Sequence, residues 1–219
     1  MRQRPIIHVA LFFILTLVGL GVLRSGGFAH GQTLLWGLMV VQLVWAAWLY
    51  PISKVSLGNF QVAFFIFIIV QALQYGTNVH SFAAGSFSAF DLFRYMIFIA
   101  LVEELWFRGV LQDNVGGSPL VGICICAVVF GLFHIQQGWG TVLTTTAVGF
   151  LFSVARACGA GIIALTLAHG TMNWLNNSFL PPVGLRLEIT WFYAVFALGC
   201  LVGGSLLYIY YKKRTLRVT

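Results

Sequence analysis

The sequence has 219 residues, of which 60% are hydrophobic and only 8% are charged, and its formal net charge is +7. Soluble domains carry about 25% charged residues, so this composition excludes a soluble globular enzyme and a disordered chain. The basic residues stand between long apolar runs rather than on an amphipathic stretch, which excludes a nucleic-acid-binding module. The composition therefore predicts a polytopic membrane protein whose surroundings are the lipid bilayer, with no nucleic acid as a partner.

The apolar runs predict an all-α, polytopic transmembrane helical bundle of about eight helices. Runs such as 60–70 are continuously apolar, unlike the alternating strands of a transmembrane barrel. The predicted spans are 6–23, 33–50, 59–76, 90–112, 119–137, 139–156, 159–177 and 188–211. The part over 119–156 fits either two helices or one helix with a re-entrant segment. Spans of roughly 20 residues leave room only for short loops and tails, so we expect a single integral membrane domain over 1–219.

Lysine and arginine positions predict the orientation in the membrane. With eight spans, both tails share one side, which holds Arg2, Arg4, Lys54, Arg156, Lys212, Lys213, Arg214 and Arg217. The other side holds Arg24 and Arg186, with Arg94 close to it. Because cytoplasmic loops carry the excess of basic residues, we expect a multi-pass protein of the plasma membrane with both termini in the cytoplasm. The first run is too long for a signal-peptide core and lacks an A-x-A site, so we expect it to stay as a helix.

The fourth span contains two adjacent carboxylates and a guanidinium, from Glu103, Glu104 and Arg108. Each charge costs about 2.5–3.5 kcal/mol near the centre of a membrane helix, so such residues indicate a functional site. Glu104 and Arg108 are four residues apart with the acid first, which favours an ion pair. Glu103 is rotated by about 100° from Glu104 on a helix and is predicted to face elsewhere. A purely structural alternative is that both acids share Arg108 near the lipid headgroups. That alternative accounts for the presence of Glu104 in this span but not for that of Glu103.

Two later spans each contain a histidine that shares a helix face with a residue four positions away. These pairs are Phe130 with His134 and His169 with Asn173. A single membrane histidine more often packs and forms hydrogen bonds between helices than takes part in catalysis. Ionisable groups on three separate spans instead indicate a site built between facing helices.

These residues form three motifs that resemble those of a known family. The family is the CPBP family, also called the CAAX protease and bacteriocin-processing or Abi family. Its EExxxR, FxxxH and HxxxN motifs resemble, in this order, Glu103-Glu104-x-x-x-Arg108, Phe130-x-x-x-His134 and His169-x-x-x-Asn173. The resemblance covers about residues 92–177, which we take as the catalytic core. It implies an intramembrane endopeptidase that hydrolyses a peptide bond of a membrane-associated protein or peptide substrate.

The resemblance also implies roles for the motif residues. Glu103 would be the base that activates water, assisted by His134, while His169 and Asn173 would form the oxyanion site. Glu104 and Arg108 would orient the site. Phe130 would pack beside His134.

The residues leave a zinc enzyme open as an alternative to a cofactor-free one. Glu103, His134 and His169 together have the His₂Glu composition of several catalytic zinc sites, and Glu104 could then be the base. Known zinc peptidases of this composition place both histidines on one helix at i and i+4, whereas these two histidines lie in different spans. We therefore expect no cofactor.

Two functions other than proteolysis are compatible with the same residues. An ion- or proton-coupled transporter could relay charge through the glutamates and histidines, although no repeat between the halves is visible, as many transporters show. A non-catalytic family member could act as a scaffold or a bacteriocin immunity protein. The sequence contains neither G-x-S-x-G nor HExxH, and a glutamic endopeptidase is the leading interpretation.

Overall fold

The computed structural model describes residues 4–25, 31–77, 88–179 and 190–215. These residues form eight long helices. We number them α1 Arg4–Ser25, α2 Gly31–Leu49, α3 Phe60–Thr77, α4 over 89–111, α5 Pro119–Phe133, α6 Trp139–Ala157, α7 Ile162–Phe179 and α8 Thr190–Thr215. No strand occurs within the described ranges. The predicted all-α bundle is confirmed, and each predicted span corresponds to one helix.

The segment over 119–156 is two helices, not a helix with a re-entrant segment. Pro119 stands in the first turn of α5, where its missing N–H costs nothing. The helix ends at Phe133, earlier than the predicted span, and a short 3₁₀ turn over Ile135–Gln137 follows. Gly138 then adopts a positive φ of 97°, a conformation that suits glycine, and the chain reverses into α6.

Several helices have the apolar character needed to cross a bilayer. Two candidate spans meet the requirement in length and composition, Trp139–Ala157 and Phe192–Arg214. Shorter apolar helices cover Ile6–Gly21, Leu35–Leu49, Phe60–Gly76 and Pro119–Phe133. Large apolar side chains such as Val44, Phe64 and Leu198 are more than half exposed on the outside of the bundle. Extended apolar surfaces of this kind are typical of contact with another apolar phase.

Two apolar clusters form the core of the bundle. One includes Ile66, Leu151 and Phe196 and joins α3, α6, α7 and α8. The other includes Phe12 and Trp106 and joins α1, α2 and α4. In this second cluster the Phe12 and Trp106 rings stack with centroids 4.5 Å apart. The first cluster packs against α7, and the second packs against α4.

Helix α4 alternates between two hydrogen-bonding patterns. Ala89–Phe93 and Val102–Glu104 are α-helical, whereas Arg94–Leu101 and Leu105–Leu111 have π-type hydrogen bonds. π-type turns inside helices are frequent at functional sites. Here they flank the turn that contains Glu103 and Glu104, so the wider turns of α4 lie directly above and below both carboxylates.

The two ends of the bundle differ, and we name them by their contents. At one end, the clamp face, α2, α4 and α6 end, and Tyr50, Asp113 and Arg156 form a hydrogen-bonded clamp. The Arg156 guanidinium donates to the Tyr50 hydroxyl (2.8 Å) and to Asp113 Oδ1 (3.2 Å), and the Tyr50 hydroxyl donates to Asp113 Oδ2 (2.9 Å). At the other end, the cavity face, α5 ends and α6 begins. The clamp therefore ties three helix ends together at this face.

At the clamp face, the chain before α3 lies directly against the turn between α6 and α7. Gly58 and Ala160 form an antiparallel bridge, and the Gly161 N–H donates to the Leu57 carbonyl at 3.0 Å. A Cβ on Gly161 would overlap the Ser56 carbonyl oxygen and the Leu57 backbone. Only glycine allows this approach.

We expect Gly161→Ala to lower the free energy of unfolding by about 1–3 kcal/mol, the usual cost of overpacking a tight contact. Thermal unfolding in detergent measures the change. Gly76→Ala is the matched control, because a Cβ there meets open space and alanine is the better helix former. If both variants unfold at the parent temperature, the proposed tightness of this contact is wrong.

Candidate active site

A cavity of about 580 Å³ lies between the helices of the bundle. Its lining includes the four residues predicted to be catalytic, Glu103, His134, His169 and Asn173, together with Phe130. Glu104 and Arg108 are fully buried and lie behind this lining. The structure thus brings residues of α4, α5 and α7 to one cavity, as the three motifs predict.

Both carboxylate oxygens of Glu104 contact basic side chains, those of Arg108 and His169. Its Oε2 lies 3.3 Å from Arg108 Nε, which is the predicted i, i+4 ion pair. Its Oε1 lies 2.8 Å from His169 Nδ1. This second contact, which links α4 to α7, was not predicted from the sequence. Glu104 is therefore the centre of a buried network with no side-chain exposure.

A glycine explains why α7 can bring His169 so close to Glu104. A Cβ on Gly170 would meet Met96 of α4 at 2.5 Å from its sulfur and 3.0 Å from its Cα. The helices can pack at this distance only because position 170 has no side chain, as small residues permit in membrane bundles. The glycine directly after His169 is the signal in the sequence that could have indicated this contact.

Arg108 is enclosed by aromatic rings and backbone. Its guanidinium lies 4.5 Å from the Phe130 centroid and 5.5 Å from the Phe152 centroid, both suitable cation–π distances. Its Nη2 donates to the Gly149 carbonyl at 3.4 Å. Phe130 also packs beside His134 as predicted, with centroids 4.9 Å apart. Phe152 is a site residue that the motifs did not indicate.

Glu103 differs from Glu104 in its surroundings. Its side chain is 12% exposed, and its Oε2 lies 3.7 Å from His169 Nε2, a distance longer than a hydrogen bond. No described residue donates a hydrogen bond to this oxygen. The rotation between the two glutamates therefore has the predicted result: one carboxylate faces a buried arginine, and the other faces the cavity.

The acceptors beside the two histidines determine which ring nitrogen carries hydrogen. His134 Nδ1 lies 2.9 Å from the Phe130 carbonyl oxygen, and because a carbonyl can only accept, Nδ1–H must be the donor. Neutral His134 then has its lone pair on Nε2. His169 Nδ1 donates to the Glu104 carboxylate in the same way, which leaves His169 Nε2 directed at Glu103.

The remaining polar groups in the cavity are uncharged amides and hydroxyls. They include Gln137, Thr141, Thr144, Asn176 and Asn177. The Thr141 and Thr144 hydroxyls donate to carbonyls one turn earlier in the chain, so they retain acceptor capacity. Such groups can solvate water and a peptide backbone in an otherwise apolar bundle.

We expect Glu104→Gln to destabilise the protein more than Glu103→Gln does. The first change leaves Arg108 buried without its anionic partner, and breaking one buried pair costs about 3–5 kcal/mol in soluble proteins. The second change removes a carboxylate that lines the cavity and whose Oε2 lies 3.7 Å from His169 Nε2, beyond hydrogen-bond distance. Thermal unfolding of both variants in the same detergent compares them. A larger loss for Glu103→Gln would contradict the assignment of Arg108 to Glu104.

Comparison with known protein families identifies the segment that holds this site. A family model described as type II CAAX prenyl endopeptidase Rce1-like matches residues 85–175. The matched segment contains all three motifs, while no curated protein matches the chain. The family is membrane-integral, and the match indicates an intramembrane protease whose substrate is a protein in the membrane. The resemblance predicted from the motifs is confirmed: the segment that builds the cavity site is similar to the Rce1-like type II CAAX prenyl endopeptidases of the CPBP family.

Proposed function

We propose that this protein is an endopeptidase of the glutamic type, in which Glu103 activates the water that attacks a peptide bond. The observation that carries the proposal is the difference between two adjacent carboxylates. Glu104 is fully buried against Arg108 and His169, whereas Glu103 lines the cavity and its side chain is 12% exposed. A base must be able to reach its water, and Glu103 meets that condition.

His134 is suited to assist the base. Its Nδ1–H is held by the Phe130 carbonyl, so the neutral ring presents an unprotonated Nε2. Since His134 and Glu103 line the same cavity, this nitrogen can accept a hydrogen bond from the attacking water or take up a proton and return it later. The ring orientation is maintained by the contact with Phe130.

His169 is suited to stabilise the oxyanion by its position. Its Nδ1 lies 2.8 Å from Glu104 Oε1, which fixes the orientation of the ring. Its Nε2 faces the cavity beside Glu103, where an Nε2–H would donate to the oxyanion. Asn173, one turn further along α7, supplies a neutral amide donor to the same cavity.

The reaction follows from these positions. Glu103 removes a proton from water, and the water oxygen forms a bond to the carbonyl carbon of the peptide. The carbonyl π electrons move to the oxygen, whose negative charge accepts hydrogen bonds from His169 and Asn173. When the tetrahedral intermediate collapses, the C–N bond breaks and the amine leaving group takes the proton held by Glu103 or His134. The products are a carboxylic acid and an amine.

We expect Glu103→Gln to abolish peptide cleavage while expression and membrane insertion stay near those of the parent. Glutamine has nearly the same shape but cannot take a proton from water. The measurement is cleavage of candidate membrane-anchored substrates by purified protein reconstituted in liposomes.

The matched control for this variant is Asp91→Asn, the same chemical change on the same helix. Asp91 forms a half-buried pair with Arg94 at 3.1 Å and does not line the cavity, so cleavage should continue. Cleavage by Glu103→Gln at the parent rate would exclude Glu103 as the base. Loss of cleavage in both variants would show that a change of carboxylate to amide elsewhere on α4 also stops cleavage. The effect of Glu103→Gln would then not be specific to the base.

The grouping of side chains favours chemistry without a metal. A zinc site made of Glu103, His134 and His169 would need all three side chains within reach of one ion. Within the described ranges, no three His, Cys, Asp or Glu side chains are grouped so that they could hold a metal ion.

We therefore expect full activity after treatment with a chelator. The test combines elemental analysis of purified active protein with chelation and zinc add-back. Stoichiometric zinc, together with activity that is lost on chelation and restored by zinc alone, would overturn the glutamic mechanism and make His134 and His169 ligands.

A further inference from the structure

Helix α1 contributes to the wall of the cavity although it carries none of the three motifs. Phe12, Thr16 and Leu20 of α1 line the same cavity as Glu103 and His134. Phe12 is almost completely buried there. Helix α1 also lies outside the segment that matches the family model. The site therefore has a wall that neither the motifs nor the family match indicates.

Phe12 joins the helix that holds Glu103 to the helix that holds His134. Its ring stacks on Trp106 of α4, with centroids 4.5 Å apart and an angle of 14° between the planes. It also stacks on Phe133 of α5, with centroids 5.3 Å apart and an angle of 12°. Trp106 is three positions after Glu103, and Phe133 directly precedes His134. This stack of three rings therefore connects α4 and α5 beside both candidate catalytic residues.

A second contact with α1 holds the chain just after His134. The Gln136 side-chain amide donates to the Leu17 carbonyl of α1, with Nε2 and the oxygen 3.2 Å apart. Gln136 lies in the 3₁₀ turn Ile135–Gln137 that follows α5. His134 is thus flanked by two residues that contact α1, Phe133 through its ring and Gln136 through its hydrogen bond.

The sequence around His134 does not by itself determine where α5 ends. Many helices end at a glycine of positive φ placed directly after the last turn. Here His134 is the first residue after α5, with φ −96° and ψ 11°, and Gly138 follows only four positions later. Helix ends without tertiary support fray. The bond from His134 Nδ1–H to the Phe130 carbonyl therefore depends on contacts that hold this end of α5.

We propose that α1 positions His134 for the reaction, through the ring of Phe12 and through the Leu17 carbonyl that binds Gln136. Phe12 and Gln136 are positioning residues, because they act on the reaction through His134. The catalytic part of this inference rests on the proposed function, in which His134 assists the base. The structural part is that α1 maintains the orientation and the Nδ1–H form of the His134 ring, and it needs no catalysis to be tested.

Magnetic resonance of the histidine rings tests the structural part. The protein is produced with isotope-labelled histidine, reconstituted in lipid bilayers and measured by magic-angle spinning, which separates protonated from unprotonated ring nitrogens. The sequence has five histidines, and His134→Asn identifies the signal of His134. Spectra are recorded at mildly alkaline pH, where imidazoles are neutral. In the parent we expect His134 to be protonated at Nδ1, because this nitrogen faces the Phe130 carbonyl.

Two variants disturb the contacts with α1 separately. Gln136→Met removes the donor and keeps a side chain of similar size, and Phe12→Leu removes the ring stack and keeps an apolar side chain. The matched control is Gln112→Met. Gln112 also lies in a 3₁₀ turn after a helix, and its Nε2 donates to the Ser153 carbonyl at 2.7 Å, but this turn is at the clamp face. Thermal unfolding in detergent verifies that each variant is folded.

We expect the Nδ1–H signal of His134 to lose at least half of its intensity in Gln136→Met and in Phe12→Leu, while the other histidine signals stay in place. Gln112→Met should give the spectrum of the parent. Three results would each overturn the proposal: a parent His134 without Nδ1–H, an unchanged His134 signal in either folded variant, or an equal change in Gln112→Met.

The kinetic part uses a membrane-anchored substrate that the parent cleaves. A misplacement of a catalytic group by about 1 Å can cost about 100-fold in rate, so we expect Gln136→Met to lower kcat by up to that factor. KM should stay near that of the parent, because Gln136 does not line the cavity. A higher KM with unchanged kcat would contradict the positioning role. If the spectra are as expected but Glu103→Gln cleaves at the parent rate, only the glutamic mechanism is wrong.

Discussion

The contact between Glu104, Arg108 and His169 is the interaction on which the rest of the site depends. Burying a charge costs several kcal/mol unless the charge is paired and hydrogen-bonded. Glu104 meets both conditions, with Arg108 on one oxygen and His169 on the other. Since Arg108 belongs to α4 and His169 to α7, the network also sets the separation of these helices. Glu103, the next residue along α4, is thereby placed 3.7 Å from the same imidazole.

Glu103 and Glu104 are adjacent and identical, but successive residues of a helix point in directions about 100° apart. The two carboxylates therefore have different surroundings. Glu104 points into the protein and has partners on both oxygens, so a change there acts first on stability. Glu103 lines the cavity and its side chain is 12% exposed. His169 lies between the two carboxylates, 2.8 Å from Glu104 Oε1 through Nδ1 and 3.7 Å from Glu103 Oε2 through Nε2.

Local periodicity was sufficient to predict most of the helices and the residues that line the cavity. The spacing of Glu104 and Arg108, and of each histidine and its neighbour one turn away, follows from the geometry of a single helix. The contacts of His169 with Glu104 and of Phe152 with Arg108 join different helices. The spacing of residues within one helix therefore cannot predict them. The earlier end of α5 depends on the turn at Gly138. Gly170 and the π-type turns of α4 allow close helix packing, which the apolar pattern alone could not indicate.

A hydrolase inside a membrane must admit water to its reactive centre without opening a path across the bilayer. In this bundle the two requirements are met at different faces. The cavity reaches Glu103 and His169 from one end, and its amide and threonine lining can hold water to that depth. The clamp of Tyr50, Asp113 and Arg156 stands at the other end, where Arg156 also donates to the Ala160 carbonyl at 3.1 Å. A continuous aqueous path past Tyr50, Asp113 and Arg156 would need this clamp to open.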